Sequence, residues 1–380
     1  MNPAIVVIAY NRPESLARLL ASIGRAAVAA GTPLVISIDG GGMRRAEVSQ
    51  TAADFSWSAG EKRIIQHEHN LGLIGNVFFG GDLSGEYGRI ILLEDDLVVS
   101  RAFYHYAQNA LDYFAGDSQV AGISLNALWF NGFSQRPFVP IHDGSDGFFM
   151  QVAWYQGQAY TAAQWAAFRA WLAAANSRPT LADPMHEAFT RFPETDWFPV
   201  KTKYLVKTGR YYAFPRVSLT TNFGEMGTHF NHRTSFFQVP LQGKRRNWEW
   251  QSLAEATAVY DSFQELLPER LACLLPDLAG LDFDVDLEGV KSAAKLVRPF
   301  TLTTRPCRHP QQTWGMRMWP LAANIIEGVS GQGISLCRRQ DVRFDWRARL
   351  TALRRLTEFY RRGRRPSLPR ELLYRLWRNF

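Results

Sequence analysis

The stretch Arg89–Val99, Arg-Ile-Ile-Leu-Leu-Glu-Asp-Asp-Leu-Val-Val, restricts the fold more than any other. Four apolar residues run straight into three carboxylates and then return to apolar. A run this short, with no polar alternation, is the pattern of a strand buried on both faces, as in a parallel sheet. Unpaired carboxylates cannot enter the core behind it, and three in a row repel one another unless a cation sits among them. Ligands of open α/β sheets bind outside the carboxyl ends of the strands, where these acids fall. Two readings follow. One is a hard divalent ion held by oxygen ligands and shared with a phosphorylated substrate; the other is an acidic loop that stays in water.

The preceding chain repeats the theme. Ala4–Ala9 is a second fully apolar run, followed by Tyr10-Asn11-Arg12 and a helix start at Pro13-Glu14, where proline suits the first turn and the acid faces the positive end. Leu16, Leu19, Leu20 and Ile23 recur at helical spacing. Leu34–Ile38 reads as a strand ending in Asp39-Gly40-Gly41-Gly42, and Arg63–Ile65 as another ending near Asn70. A helical pattern through Asn76, Phe79 and Leu83 then leads to Arg89. The expected fold is therefore α/β, a mostly parallel Rossmann-like sheet with helices on both faces. Arg12, Asp39, Asn70, Glu94, Asp95 and Asp96 all fall at expected strand ends. No Gly-x-Gly-x-x-Gly follows the first strand and no Walker loop is present, so phosphate would be handled through metal and arginine.

Net charge is +8, yet residues 341–380 alone contain twelve Arg and four acids, so the other 340 residues balance to zero. A neutral body with acids at its strand ends argues against a nucleic-acid partner. The three cysteines, Cys273, Cys307 and Cys337, offer neither a disulfide framework nor zinc spacing. Met1-Asn2-Pro3 has no basic region and Ala4–Ala9 is too short for a secretory core, so a cytoplasmic setting is expected.

The order Ala9-Tyr10-Asn11-Arg12-Pro13, Ser37-Ile38-Asp39-Gly40, Asn70-Leu71-Gly72 and Leu93-Glu94-Asp95-Asp96-Leu97 resembles the GT-A-fold, nucleotide-sugar-dependent glycosyltransferases. The pattern is nearest to glycosyltransferase family 13, the N-acetylglucosaminyltransferase I family, and to bacterial family-2-like relatives. It continues through Gly122–Asn126, Phe148-Phe149, Asp196-Trp197 and Asn222-Phe223-Gly224, covering roughly residues 3–240.

The resemblance implies an inverting transfer of sugar from a UDP-sugar to a hydroxyl of a glycan or lipid-linked acceptor, in bacterial surface polysaccharide assembly. Asp96 would bind Mn2+ (or Mg2+), Glu94 and Asp95 would face ribose and sugar, Asp39 the uracil, and Arg12 the uracil or phosphates. Asn70 joins this donor-binding set. Pro193-Glu194-Thr195-Asp196-Trp197 is similar to the family's Asp-Asp-Trp, whose base lies in that pair; Thr195 stands where the first acid would be, leaving Asp196 as base and Glu194 in reserve. Asn222–Phe230 resembles the family's donor-covering loop, with His229 placed to reach phosphate or metal. Trp154, Tyr155, Trp165 and Trp171 are either sugar-stacking or core residues, and Asp143 and Asp146 either line the cavity or form turns.

Two other functions stay open. A sugar nucleotidyltransferase would want a glycine-rich loop that Ala9–Glu14 lacks, and a non-enzymatic binder would use the basic tail. The expected organisation is a catalytic domain over 1–240, an extension over 241–340 packed on it, and a basic amphipathic helical tail over 341–380. In that tail Trp346, Leu350, Leu353 and Leu356 form an apolar stripe beside arginines, suited to peripheral contact with an anionic membrane surface. Asp282, Asp284 and Asp286 open an EF-hand spacing, but Leu287 and Ala293 stand where the loop needs glycine and glutamate.

Overall fold

A computed structural model describes residues 2–225, 237–245, 247–345 and Leu350, and the chain divides into two compact units, Met1–Gln264 and Glu265–Phe380. In the first unit the chain runs β1 (Ala4–Ala9), α1 (Pro13–Gly24), β2 (Leu34–Ile38), α2 (Arg45–Asp54), β3 (Lys62–Gln66), α3 (Gly72–Asp82), the single turn α4 (Ser84–Tyr87), β4 (Arg89–Glu94) and β5 (Leu97–Val99). It continues through α5 (Phe103–Tyr113), β6 (Val120–Ser124), a hairpin of β7 (Phe130–Asn131) and β8 (Arg136–Pro137), β9 (Gly147–Met150) and β10 (Gln158–Thr161). Then come α6 (Ala162–Ala174), α7 (Phe198–Thr208), β11 (Tyr211–Pro215), β12 (Thr220–Asn222) and β13 (Val259–Tyr260).

Nine strands form one sheet in the order β13-β9-β11-β6-β10-β4-β1-β2-β3. β1 pairs in parallel with both β2 and β4, and β2 with β3, as the apolar runs predict. The residues of β1 and β2 are buried throughout, whereas edge strand β3 is partly exposed. From β1 the chain moves out to β2 and β3, then returns to β4 on the other side of β1. Right-handed crossovers accordingly put α1 and α2 on one face and α3 on the other. β10 is inserted antiparallel between β4 and β6, and β9 runs antiparallel to β11, so the sheet is mixed though mostly parallel.

Close packing fixes α3 on the sheet. A Cβ on Gly81 would lie 2.0 Å from the Trp165 indole, and one on Gly80 would lie 2.8 Å from the Leu92 side chain. α6 starts at a capping box between Thr161 and Gln164 and delivers that indole, whose Nε1 donates to Asp82 Oδ1 at 2.7 Å. Trp165 and Trp154 are buried, and Trp171 packs on Tyr204, so Trp165 belongs to the core.

The first unit extends past residue 240, the boundary expected where the sequence resemblance ends. Asp146 N–H donates to the Glu249 carbonyl at 2.8 Å, and Val259–Tyr260 adds a strand beside β9. Such a short strand leaves no apolar run to read. Asp143 and Asp146 are loop fasteners: Asp143 pairs with Arg216 at 2.6 Å and accepts the Ala258 amide, while Asp146 pairs with Arg245 and accepts the Glu249 amide.

The second unit contains α8 (Pro268–Leu274), β14 (Phe283–Asp286), β15 (Phe300–Thr303), β16 (Pro310–Trp314), α9 (Leu321–Ile326) and β17 (Ile334–Arg338), with its sheet ordered β14-β15-β17-β16. Asp284 accepts the amides of Val297 and Arg298 at 2.6 and 2.9 Å. Asp286 accepts the Lys291 amide and Arg305 Nε, both at 2.8 Å. Apart from 341–345 and Leu350, the expected helical tail lies outside the described residues. Among the described residues no helix is long and apolar enough to cross a membrane.

Candidate active site

The carboxyl ends of β1 and β4 lie side by side where the chain reverses its order of strand addition, the switch point at which open sheets bind ligands. Arg12 leaves the end of β1; Asp95 and Asp96 leave the end of β4. The guanidinium bridges the two acids, one Nη on Asp95 and the other 3.1 Å from Asp96 Oδ2. Asp95 is buried and takes one further, long hydrogen bond from the Tyr10 amide at 3.4 Å, whereas Arg12 and Asp96 keep about a third of their side chains exposed.

Electrostatics at this edge are strained. Burial first, then Asp96, Asp95 and Asp196, push the Glu94 carboxyl well above the ordinary range, with Arg12 opposing. Burial likewise pushes Asp95 up to about 6 despite Arg12. Burial disfavours the charge on Arg12, but Asp95 and Asp96 outweigh it and hold its pKa above the usual value. One guanidinium is shared among carboxyls that would otherwise repel.

Asp196 belongs to the same electrostatic neighbourhood, since its charge acts on both Glu94 and Tyr155. It sits just ahead of α7, whose N-cap is Trp197, and its Oδ1 accepts the amide of the first helical residue, Phe198, at 2.9 Å. Burial, then Glu94, Asp196 and Asp96, raise the Tyr155 hydroxyl. Glu194 is 92% exposed and stands 3.7 Å from Arg178. The ends of β2 and β3 meet beside the acids. Asp39 is buried and its Oδ1 accepts the amides of Gly40 (2.8 Å) and Leu71 (2.7 Å). Asn70 Oδ1 accepts the Gly72 amide at 2.7 Å, and its Nδ2 donates to the Tyr10 hydroxyl at 3.4 Å. Gly40 must be glycine in this turn, because a Cβ there would lie 2.4 Å from the His69 carbonyl. His229 lies outside the described residues.

Two features escaped the sequence reading. β12 pairs antiparallel with β5, directly after the acids, and Glu225 is held by Ser15 and Arg18 of α1 at 2.7 and 2.5 Å. Lys201 of α7 is buried with its Nζ 3.7 Å from the Tyr160 ring centroid and 4.0 Å from that of Trp165, and the amine has no hydrogen-bond partner among the described residues. Burial pulls its pKa well below the lysine range. The available signal was the one-face spacing of Trp197, Lys201 and Tyr204.

Hard carboxylate oxygens suit Mn2+ or Mg2+. No group of three or more His, Cys, Asp and Glu ligands gathers among the described residues. The donor set fits an ion held by one or two carboxylates that completes its shell with phosphate oxygens and water.

No family model matches the chain, and no curated protein matches it. Among solved structures it is similar to residues 1–349 of S. aureus TarS, at 11% identity and a TM-score of 0.37, over 58% of this chain and 60% of that one. The same protein in complex with UDP aligns at 13% identity and a TM-score of 0.35, over 56% and 60% of the two chains. The mannosyltransferase PcManGT from Pyrobaculum calidifontis, in complex with GDP-Man and Mn2+, aligns at 13% identity and a TM-score of 0.28, over 42% and 45%. The chain thus matches 60% or less of the length of each of these structures.

Proposed function

We propose that this chain is a metal-dependent, inverting glycosyltransferase that moves a sugar from a UDP-sugar to a hydroxyl of a glycan or lipid-linked acceptor. The observation that carries the reading is the meeting of Arg12, Asp95 and Asp96 at the β1/β4 switch point, with Asp196 in electrostatic reach of Glu94. The acceptor class, in bacterial surface polysaccharide assembly, follows from the sequence resemblance.

Each residue has a role its surroundings support. Asp39, with Oδ2 making no hydrogen bond among the described residues, accepts an N–H of the base. Arg12 offers a planar fork to the diphosphate. Asp96, the more exposed acid of the bridged pair, holds the divalent ion. When bound, that ion offsets the negative charge that develops on the departing nucleoside diphosphate. Asp196 removes the acceptor hydroxyl's proton as that oxygen attacks the anomeric carbon. A single displacement from the side opposite the leaving group inverts the anomeric centre. Glu94 and Asp95 face ribose and sugar; the raised affinity of both for protons suits them to hydrogen-bond hydroxyls.

A donor screen tests the reading. Heat stability is measured with UDP-, GDP-, dTDP- and CMP-sugars, each with and without Mn2+, since a ligand of the folded state raises stability by mass action. A UDP-sugar should give the largest shift, and only with Mn2+ in full. Equal shifts for every nucleotide, or none, would remove the proposal.

A further inference from the structure

We propose that Arg12 is the resident counter-ion of the metal site, so that Mn2+ reaches Asp96 only when a nucleoside diphosphate draws the guanidinium away. This rests on the glycosyltransferase reading and adds an order of events to it. The guanidinium spends one Nη on Asp95 and the other on Asp96, the acid assigned to the ion. A divalent cation on those oxygens and a guanidinium bonded to them are like charges competing for the same lone pairs.

Asp95 is buried, and among the described residues its one polar contact apart from Arg12 is the 3.4 Å bond from the Tyr10 amide. The carboxylates therefore do not release Arg12 for nothing. A diphosphate supplies both missing parts at once: anionic oxygens that accept the Arg12 fork, and further oxygens that complete the coordination of the ion. Metal and nucleotide then assist each other, and linkage requires each to raise the other's affinity by the same factor.

The test uses the full chain. Mn2+ binding is titrated by the loss of the free-ion electron paramagnetic resonance signal, with and without saturating UDP. In the native protein UDP should tighten Mn2+ binding about tenfold or more, a coupling of roughly 1.4 kcal/mol. Arg12→Met, which keeps the stem and removes the charge, should bind Mn2+ about tenfold more tightly than the native protein without UDP, and UDP should then add less than about threefold. Arg12→Lys, which keeps one charge but cannot span both carboxylates, should fall between them. It also serves as the second variant if Arg12→Met does not fold.

Native-like Mn2+ affinity in these variants, with UDP binding retained in the native protein, would overturn the counter-ion role and leave the glycosyltransferase reading standing. If the native protein binds neither Mn2+ nor UDP, both fall together.

Discussion

Asp95 and Asp286 each stand at the carboxyl end of a buried strand, and each faces an arginine, but their surroundings differ in kind. Asp286 is fully buried and takes the Lys291 amide and Arg305 Nε, both at 2.8 Å. Arg305 Nη2 donates to the carbonyls of Gly289 and Lys291. That cluster is closed, with its charge absorbed by backbone. Asp95 and Asp96 have the long Tyr10 bond and a guanidinium that remains one-third exposed. An acid with both oxygens committed to fixed, buried donors is structural; an acid held mainly by a displaceable, part-exposed side chain is available to a ligand.

The widest break between the two clusters comes from Asp286→Ala. Stranding Arg305 in the interior should cost roughly 4 kcal/mol, seen as a lowered denaturant midpoint. Next is Asp196→Asn, which should lower turnover about a thousandfold while UDP binding, followed calorimetrically, stays within about twofold. Asp96→Ala, in the open cluster, should change ligand-free stability by less than about 1 kcal/mol. It should also abolish the Mn2+-dependent part of a UDP shift that totals about 2.7 kcal/mol with Mn2+ at a hundredfold excess over Kd.

The smallest effect calibrates a closed acid in the first unit. Burial opposes the charge of Asp183, but the Thr180 amide, Lys207 and Lys203 overcome it and hold its pKa at about 2, below the ordinary 3.8. A depressed carboxyl stabilises the fold above its unfolded pKa, and that contribution fades as pH falls from 3.8 toward 2. Stability should drop by roughly 2 kcal/mol across that window, and Asp183→Asn should flatten this part of the pH profile.

Much of this contrast was legible in the sequence, and the rest was hidden for definite reasons. β4 and its acids could be read because four apolar residues belong in the interior and three acids behind them demand partners, although Asp95 is itself buried against Arg12. At Asp282, Asp284 and Asp286 the spacing lacks the glycine and glutamate of an EF-hand at Leu287 and Ala293, and nothing in the sequence named Arg305 as the partner of Asp286. Arg12 and Asp95 lie 83 residues apart, and only the return of β4 to the far side of β1 brings them together. Lys201 was lost because a lysine on an amphipathic helix ordinarily marks the wet face. Cys307 and Cys337, spaced 30 residues apart, gave no sign that their sulfurs would stand 2.6 Å from each other.

The reversed direction of β10 has one more effect. Its parallel neighbours β4 and β6 send their trailing loops to the ligand edge, whereas β10 sends its leading loop there. Tyr155 arrives by that route, from the opposite chain direction, and feels Glu94, Asp96 and Asp196. The far end of β10, where Thr161 opens α6, therefore lies at the opposite edge of the sheet from the acids that Tyr155 meets.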